Sequence, residues 1–206
     1  VYKRQGFSPG GVRCGFGLPL PDAAHSATAV RSVLALKEHL DTVSGELRGR
    51  YGEGVAWGCG LSGGDMATGL CGKGRFEQFG ILSAEADFAW RLAGANENYG
   101  SSILVPAPTF QKIGDEGEFR PIDFLDEAPG GRRFEVYELI AEGGGLGEMA
   151  SLRRDAFWRG VVQMRAGDYA AALAEFEEAR VPGATDRPLE HFLASVSERL
   201  AGVRST

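Results

Sequence analysis

Asp87 and Arg91 stand four residues apart in "SAEADFAWRL" (83–92). On a helix that spacing puts a carboxylate and a guanidinium on one face. As a surface pair they would satisfy one another, for about 0.3–0.5 kcal/mol. As the remnant of a catalytic pair they would act on a substrate instead, and the spacing alone leaves both readings open. Few other residues offer chemistry. Asp65, in "GLSGGDMATGLCG" (60–72), reads as a turn residue before it reads as a ligand. His25, His39 and His191 are scattered, with no cysteine or acid cluster at metal-binding spacing. Cys14, Cys59 and Cys71, an odd number among apolar and glycine residues, read as buried thiols of a reduced compartment. Trp57, Trp90 and Trp158 read as core or interface residues.

The elements that must position these residues follow from period and punctuation. "GVRCGFGLPLP" (11–21) reads as a strand closing in a turn. From Asp22, a plausible N-cap, a helical pattern runs to about Arg50, with Ala29, Val33, Leu36, Leu40, Val43 and Leu47 on one stripe. Residues 54–80 alternate between glycines and predict two or three strands in a hairpin arrangement. "SAEADFAWRL" opens the next helix, to about Asn98. "SSILVPAPTFQKIGD" predicts a short strand and a short helix, and "FRPIDFL" and "RRFEVYELI" predict two strands around "DEAPGGR". Without a simple βαβ rhythm, the class expected for this part is α+β.

Composition narrows the function classes. The chain has 206 residues, 43% hydrophobic and 24% charged, with 31 glycines and a net charge of −6. No basic cluster stands out, which argues against nucleic acid as a partner. No apolar run reaches membrane-spanning length and no signal peptide is visible, so a cytoplasmic chain is expected. "VYKRQ" (1–5) resembles a cloning scar and is set aside, and the chain is expected to be a fragment of a longer protein.

An ordered series of pieces between residues 15 and 139 resembles the catalytic domain of class III nucleotidyl cyclases, the adenylate and guanylate cyclase family. "GFGLPLPDAAHSATAVRSVLALKEHL" (15–40) is similar to the family's strand, proline turn and long helix. "GLSGGDMATGLCG" (60–72) resembles its glycine-rich hairpin, with Gly60, Gly64, Gly69 and Gly72 at the family's spacing and Asp65 in place of a glutamate. "ANENYGSSILVPAPTF" (95–110) and "FRPIDFLDEAPGGRRFEVYEL" (119–139) resemble the following tyrosine-glycine turn, strand and short helix, and the closing strand pair. The fold implied is a ferredoxin-like cyclase domain, partial here.

The resemblance implies a reaction in which a ribose 3′-hydroxyl attacks the α-phosphorus of its own nucleoside triphosphate, ATP or GTP, and pyrophosphate leaves. Magnesium or manganese ions on two carboxylates serve that step. An asparagine orients the ribose, and an arginine four residues on meets the transition-state charge. In the family these groups come from both partners of a dimer. By this resemblance the asparagine position falls on Asp87 and the arginine position on Arg91. One metal carboxylate would lie upstream of Val1. The other falls on Gly10, and no carboxylate lies between Val1 and Pro21. The base-reading positions fall near Gly6 and on Gly80. Gly130-Gly131-Arg132-Arg133 stands near the phosphate-contacting loop, with a solvated turn as the simpler reading. No complete metal site is expected, and the chain is expected to be inactive on its own.

Beyond "AEGGGLGE" (141–148), read as a flexible linker, the pattern is helical. "DAFWRGVVQMRAGDYAAALAEFEEAR" (155–180) resembles one tetratricopeptide repeat, with Gly160, Ala172 and Phe176 at packing positions. "RPLEHFLASVSERL" (187–200) offers a capping helix. The organisation expected is a cyclase homology domain over 1–140, the linker, and a helical region over 149–206 that packs on the domain or on a partner. A cyclase-like domain followed by one repeat also resembles bacterial sensor cyclases, whose sensory and transmembrane parts lie upstream. Three readings follow: part of a cyclase, a regulatory pseudo-cyclase that forms a homo- or heterodimer with an active partner, and a scaffold for protein partners of the helical tail.

Overall fold

A strand that is apolar at every position must be covered on both faces. Ile103, Leu104 and Val105 form such a run and all three are fully buried. The computed structural model describes residues 4–8 and 10–203. In chain order the elements are strands β1 (Arg4–Ser8) and β2 (Gly11–Gly15), helix α1 (His25–Tyr51), and strands β3 (Cys59–Gly60), β4 (Ala67–Cys71) and β5 (Gln78–Leu82). Helix α2 (Ala84–Tyr99), strand β6 (Ile103–Pro106), helix α3 (Ala107–Ile113) and strands β7 (Gly117–Asp126) and β8 (Arg133–Glu142) follow. Helices α4 (Glu148–Ala166), α5 (Tyr169–Ala179) and α6 (Arg187–Val203) close the chain.

The class is α+β. A four-stranded mixed sheet in the order β3-β6-β8-β7 is parallel between β3 and β6 and antiparallel elsewhere. β1–β2 and β4–β5 form two separate antiparallel ribbons. β7 tolerates Pro121, which has no N–H, because it is an edge strand, and the β7–β8 register shifts between Pro121 and Asp123.

Alternation sorts the sheet's side chains. Ile103 and Val105 of β6, Tyr137 and Leu139 of β8 and Phe119 of β7 face Val30 and Val33 of α1 and Ile113 of α3. Leu104, Val136 and Ile122 take the other face, against Phe88 and Leu92 of α2 and the residues of α4–α6. Burying each large apolar side chain contributes about 1.5–3 kcal/mol, so both layers matter to stability.

Two expectations for α1 need correction. The helix begins at His25, because the Asp22 carboxylate accepts from the Ala24 N–H (2.9 Å) and shapes a turn one step earlier. Of the apolar stripe, Ala29 and Val33 are buried, whereas Leu36 is 46% exposed. The apolar layer of the sheet meets only the first turns of this 27-residue helix.

The helical tail shares a core with the sheet, since Phe157, Val161, Phe176, Phe192 and Val196 pack with Leu104 and Val136. Gly160 lets α4 and α5 close on one another: a Cβ there would stand 2.6 Å from the Phe176 ring. Arg120 of β7 ties the tail down. Its guanidinium donates to Glu138 (2.8 Å) and with two nitrogens to Asp186 (2.7 and 3.0 Å), and it lies over the Phe157 ring. Asp186 also accepts from the Leu189 N–H in the first turn of α6. In the segment read as a linker, β8 continues to Glu142, and the Gly143 and Gly144 N–H groups donate to the Glu116 carbonyl and the Glu118 carboxylate.

Candidate functional site

α2 carries Asp87 and Arg91, and glycines decide where it sits. Gly58 and Gly60 turn their bare Cα atoms to the helix, and a Cβ on either would overlap the carbonyl oxygen of Ala93 or Ala89. Helix and strand therefore meet backbone to backbone. Asn96, buried in that contact, locks it: its amide donates to the carbonyls of Cys59 (2.9 Å) and Leu92 (2.9 Å) and accepts from the Ser101 hydroxyl (2.8 Å). Ser83 caps the helix by accepting from the Ala86 N–H (3.0 Å). With Phe88 and Leu92 in the core, Asp87 and Arg91 point away from it.

Asp87 does not pair with Arg91. Its carboxylate faces Arg13 of β2, at 3.5 Å, and is 77% exposed. The Arg13 guanidinium also lies 5.3 Å from the centre of the Trp90 ring. The two contacts of Arg13, about 0.2–1 kcal/mol for the ion pair and 0.5–1 for the ring, outweigh the 0.2–0.5 of a helical pair. Arg91 is exposed and makes no ion pair or hydrogen bond among the described residues.

Trp90 is neither core nor idle surface. Its ring lies on the β1–β2 turn, where a Cβ at Gly10 would touch it at 3.4 Å and one at Gly11 at 3.1 Å. Gly11 has φ +155°, in the range that favours glycine. Trp57 and Trp158 pack against the α1 layer, as core residues do.

A cleft of about 250 Å³ opens on the other side of the α2 N-terminus, between residues 62–65, α3 and the β7–β8 turn. The Gly63 N–H donates to the Thr109 hydroxyl (2.9 Å), and Lys112 reaches the Gly63 carbonyl (3.4 Å). Asp65 and Glu85 reach this cleft. Arg132 is engaged by both oxygens of Glu127 and Arg133 lies over Phe124, so 130–133 is a closed turn. His25 contacts the Asp22 carbonyl, and His191 packs edge-on against Tyr99.

The cysteines depart from expectation. Cys14 and Cys71 are exposed, because each lies on a ribbon outside the four-stranded sheet, and Cys59 is partly buried. Burial pushes the Cys59 thiol up to about 11, and the neighbouring Cys14 adds to the shift.

No family model matches the chain. Over 122 residues, however, it is 25% identical to Adenylate cyclase 1 of Rhizobium meliloti (strain 1021), covering 59% of this chain and 18% of that protein. The chain is distantly similar to an adenylate cyclase. It spans 18% of that relative's length.

Cyclase-type chemistry implies divalent metal, and the residues present do not fit such a centre. Gly10, where the resemblance implies a carboxylate, has no side chain and abuts the Trp90 ring. Among the described residues no group of three or more His, Cys, Asp or Glu side chains is set to hold a cation. Gly6 and Gly80 pair with Arg13 and Gly69 in the ribbons and present backbone only. Among the described residues no helix is long and apolar enough to cross a membrane. The helix seat, Asn96 and Arg13 escaped the sequence reading. Only the alternate glycines at 58 and 60 hinted at the first of these.

Proposed function

We propose that residues 6–140 are a class III cyclase homology domain, ferredoxin-like in type, that acts in cyclic-nucleotide signalling as one half of a two-chain site. Its contribution is Arg91. The observation that carries this reading is the Arg91 guanidinium, exposed and without an ion pair or hydrogen bond among the described residues, on a helix seated closely on β3, at the position the resemblance gives to the transition-state arginine. In the reaction the ribose 3′-oxygen forms a bond to the α-phosphorus as the bond to pyrophosphate breaks and the hydroxyl proton leaves. Negative charge grows on the α-phosphate oxygens, and a preorganised guanidinium there lowers the barrier. Gly10 supplies no metal ligand, so two copies of this chain do not complete a site. The productive pair is mixed, with the triphosphate held mainly by the partner.

The test is cyclic-nucleotide formation with manganese and ATP or GTP, by the chain alone and mixed with a competent cyclase domain. The lone chain should show no turnover, and the mixture should exceed the partner by itself. Arg91→Ala should lower the turnover that the mixture shows above the partner alone about 100-fold. Turnover by the lone chain would sink the helper role, and an unchanged mixture would sink the role of Arg91. A second reading, a scaffold for a protein partner, draws on α4: Met149, Leu152 and Val162 are exposed on this helix of the repeat-like pair.

A further inference from the structure

We propose that Arg13 is a positioning residue for Arg91: it holds the Asp87 carboxylate away from Arg91 and so leaves that guanidinium open to a phosphate. The inference rests on the reading of Arg91 given above, and it names the residue that keeps Arg91 available. An aspartate four residues before an arginine on a helix is the favourable order for pairing, with the side chains one turn apart. Left to themselves, Asp87 and Arg91 would close on one another, and an incoming anion would have to break that pair first. The negative charge of Asp87 would also repel the anion.

The structure removes both obstacles at once. Arg13 Nη1 stands 3.5 Å from Asp87 Oδ1, and the same guanidinium lies 5.3 Å from the Trp90 ring centre. Arg13 thus touches α2 at two points, against one for a helical Asp87–Arg91 pair. Its charge cancels that of Asp87, leaving Arg91 as the net positive group on this face of the helix. Trp90 is in turn seated by Gly10 and Gly11, where a Cβ at Gly11 would come within 3.1 Å of the ring. The turn glycines therefore hold the indole, the indole helps to hold Arg13, and Arg13 holds Asp87. Arg13 lies on β2, opposite Gly6 in the ribbon register, so the ribbon's docking on α2 sets the state of Arg91.

The experiment titrates the full chain with inorganic tripolyphosphate and follows the Arg91 Nε–Hε resonance by NMR, in a double-mutant cycle of Arg13→Gln and Asp87→Asn. In the native background Arg13→Gln should weaken binding at Arg91 about twofold through capture by Asp87. With Asp87→Asn in place the same change should cost clearly less, because no carboxylate remains to capture Arg91. Arg13→Lys, which keeps the charge, should bind more tightly than Arg13→Gln and covers the case in which Arg13→Gln disturbs the ribbon. Equal costs of Arg13→Gln in both backgrounds, or no tripolyphosphate response at Arg91 in the native chain, would overturn the proposal. Turnover of the mixed pair separates the two claims. If the cycle shows coupling while Arg91→Ala leaves mixed turnover unchanged, the positioning stands and the helper function falls.

Discussion

The two ribbon cysteines and Cys59 differ in what surrounds them, and reactivity should follow. The thiolate is the nucleophile, and burial holds the Cys59 thiol protonated up to about 11. At pH 8, iodoacetamide should modify Cys14 and Cys71 first and Cys59 roughly tenfold or more slowly, read by peptide mass spectrometry. Equal rates would contradict the burial of Cys59. The sign for stability is also set: a thiol whose folded value is raised holds its proton in the folded chain after the unfolded chain has lost it. Stability therefore falls as pH climbs from the ordinary thiol range towards about 11. The sequence placed Asp87 and Arg91 on one helix face correctly, but their pairing was not legible there. Asp87 binds Arg13, 74 positions away, and no local spacing encodes that choice.

Glycines behave differently from one element to the next. Gly60 and Gly69 both belong to the glycine spacing of residues 60–72, yet a Cβ at Gly60 would overlap the Ala89 carbonyl while one at Gly69 meets nothing within 4 Å. Gly60→Ala should therefore displace α2 and cost about 1–3 kcal/mol or more in urea denaturation. Gly69→Ala should change stability by less than about 0.5 kcal/mol. Comparable losses at both positions would mean that α2 is not seated on Gly60. Helix α2 and the strand pair β7–β8 were legible, because apolar period and turn residues are local, whereas β1 was not, since its first residues, Arg4 and Gln5, were set aside as a scar. The stripe of α1 was legible only in part: a period shows which face is apolar, and Leu36 shows that it does not say how far the covering layer extends.

At the scale of the whole molecule, the sheet and the three tail helices share one buried cluster, and Arg120 braces it. Arg120→Met would leave Glu138, with its side chain 6% exposed, without its cation. The expected cost is about 3–5 kcal/mol. The full chain should melt in one transition that this change lowers. A separate, unshifted melt of the tail would show that the brace does not couple the two parts. Sequence alone determined the α+β class and the helix pair that closes through Gly160 and Phe176. Each of these is written in neighbouring residues as a period or a turn. Tertiary structure alone decided that Trp90 lies on Gly10 and Gly11, that Arg13 takes Asp87 and leaves Arg91 open, and that Arg120 reaches Asp186 across 66 positions. These contacts join segments far apart in the chain, and their partners are chosen by packing and charge once the elements have met.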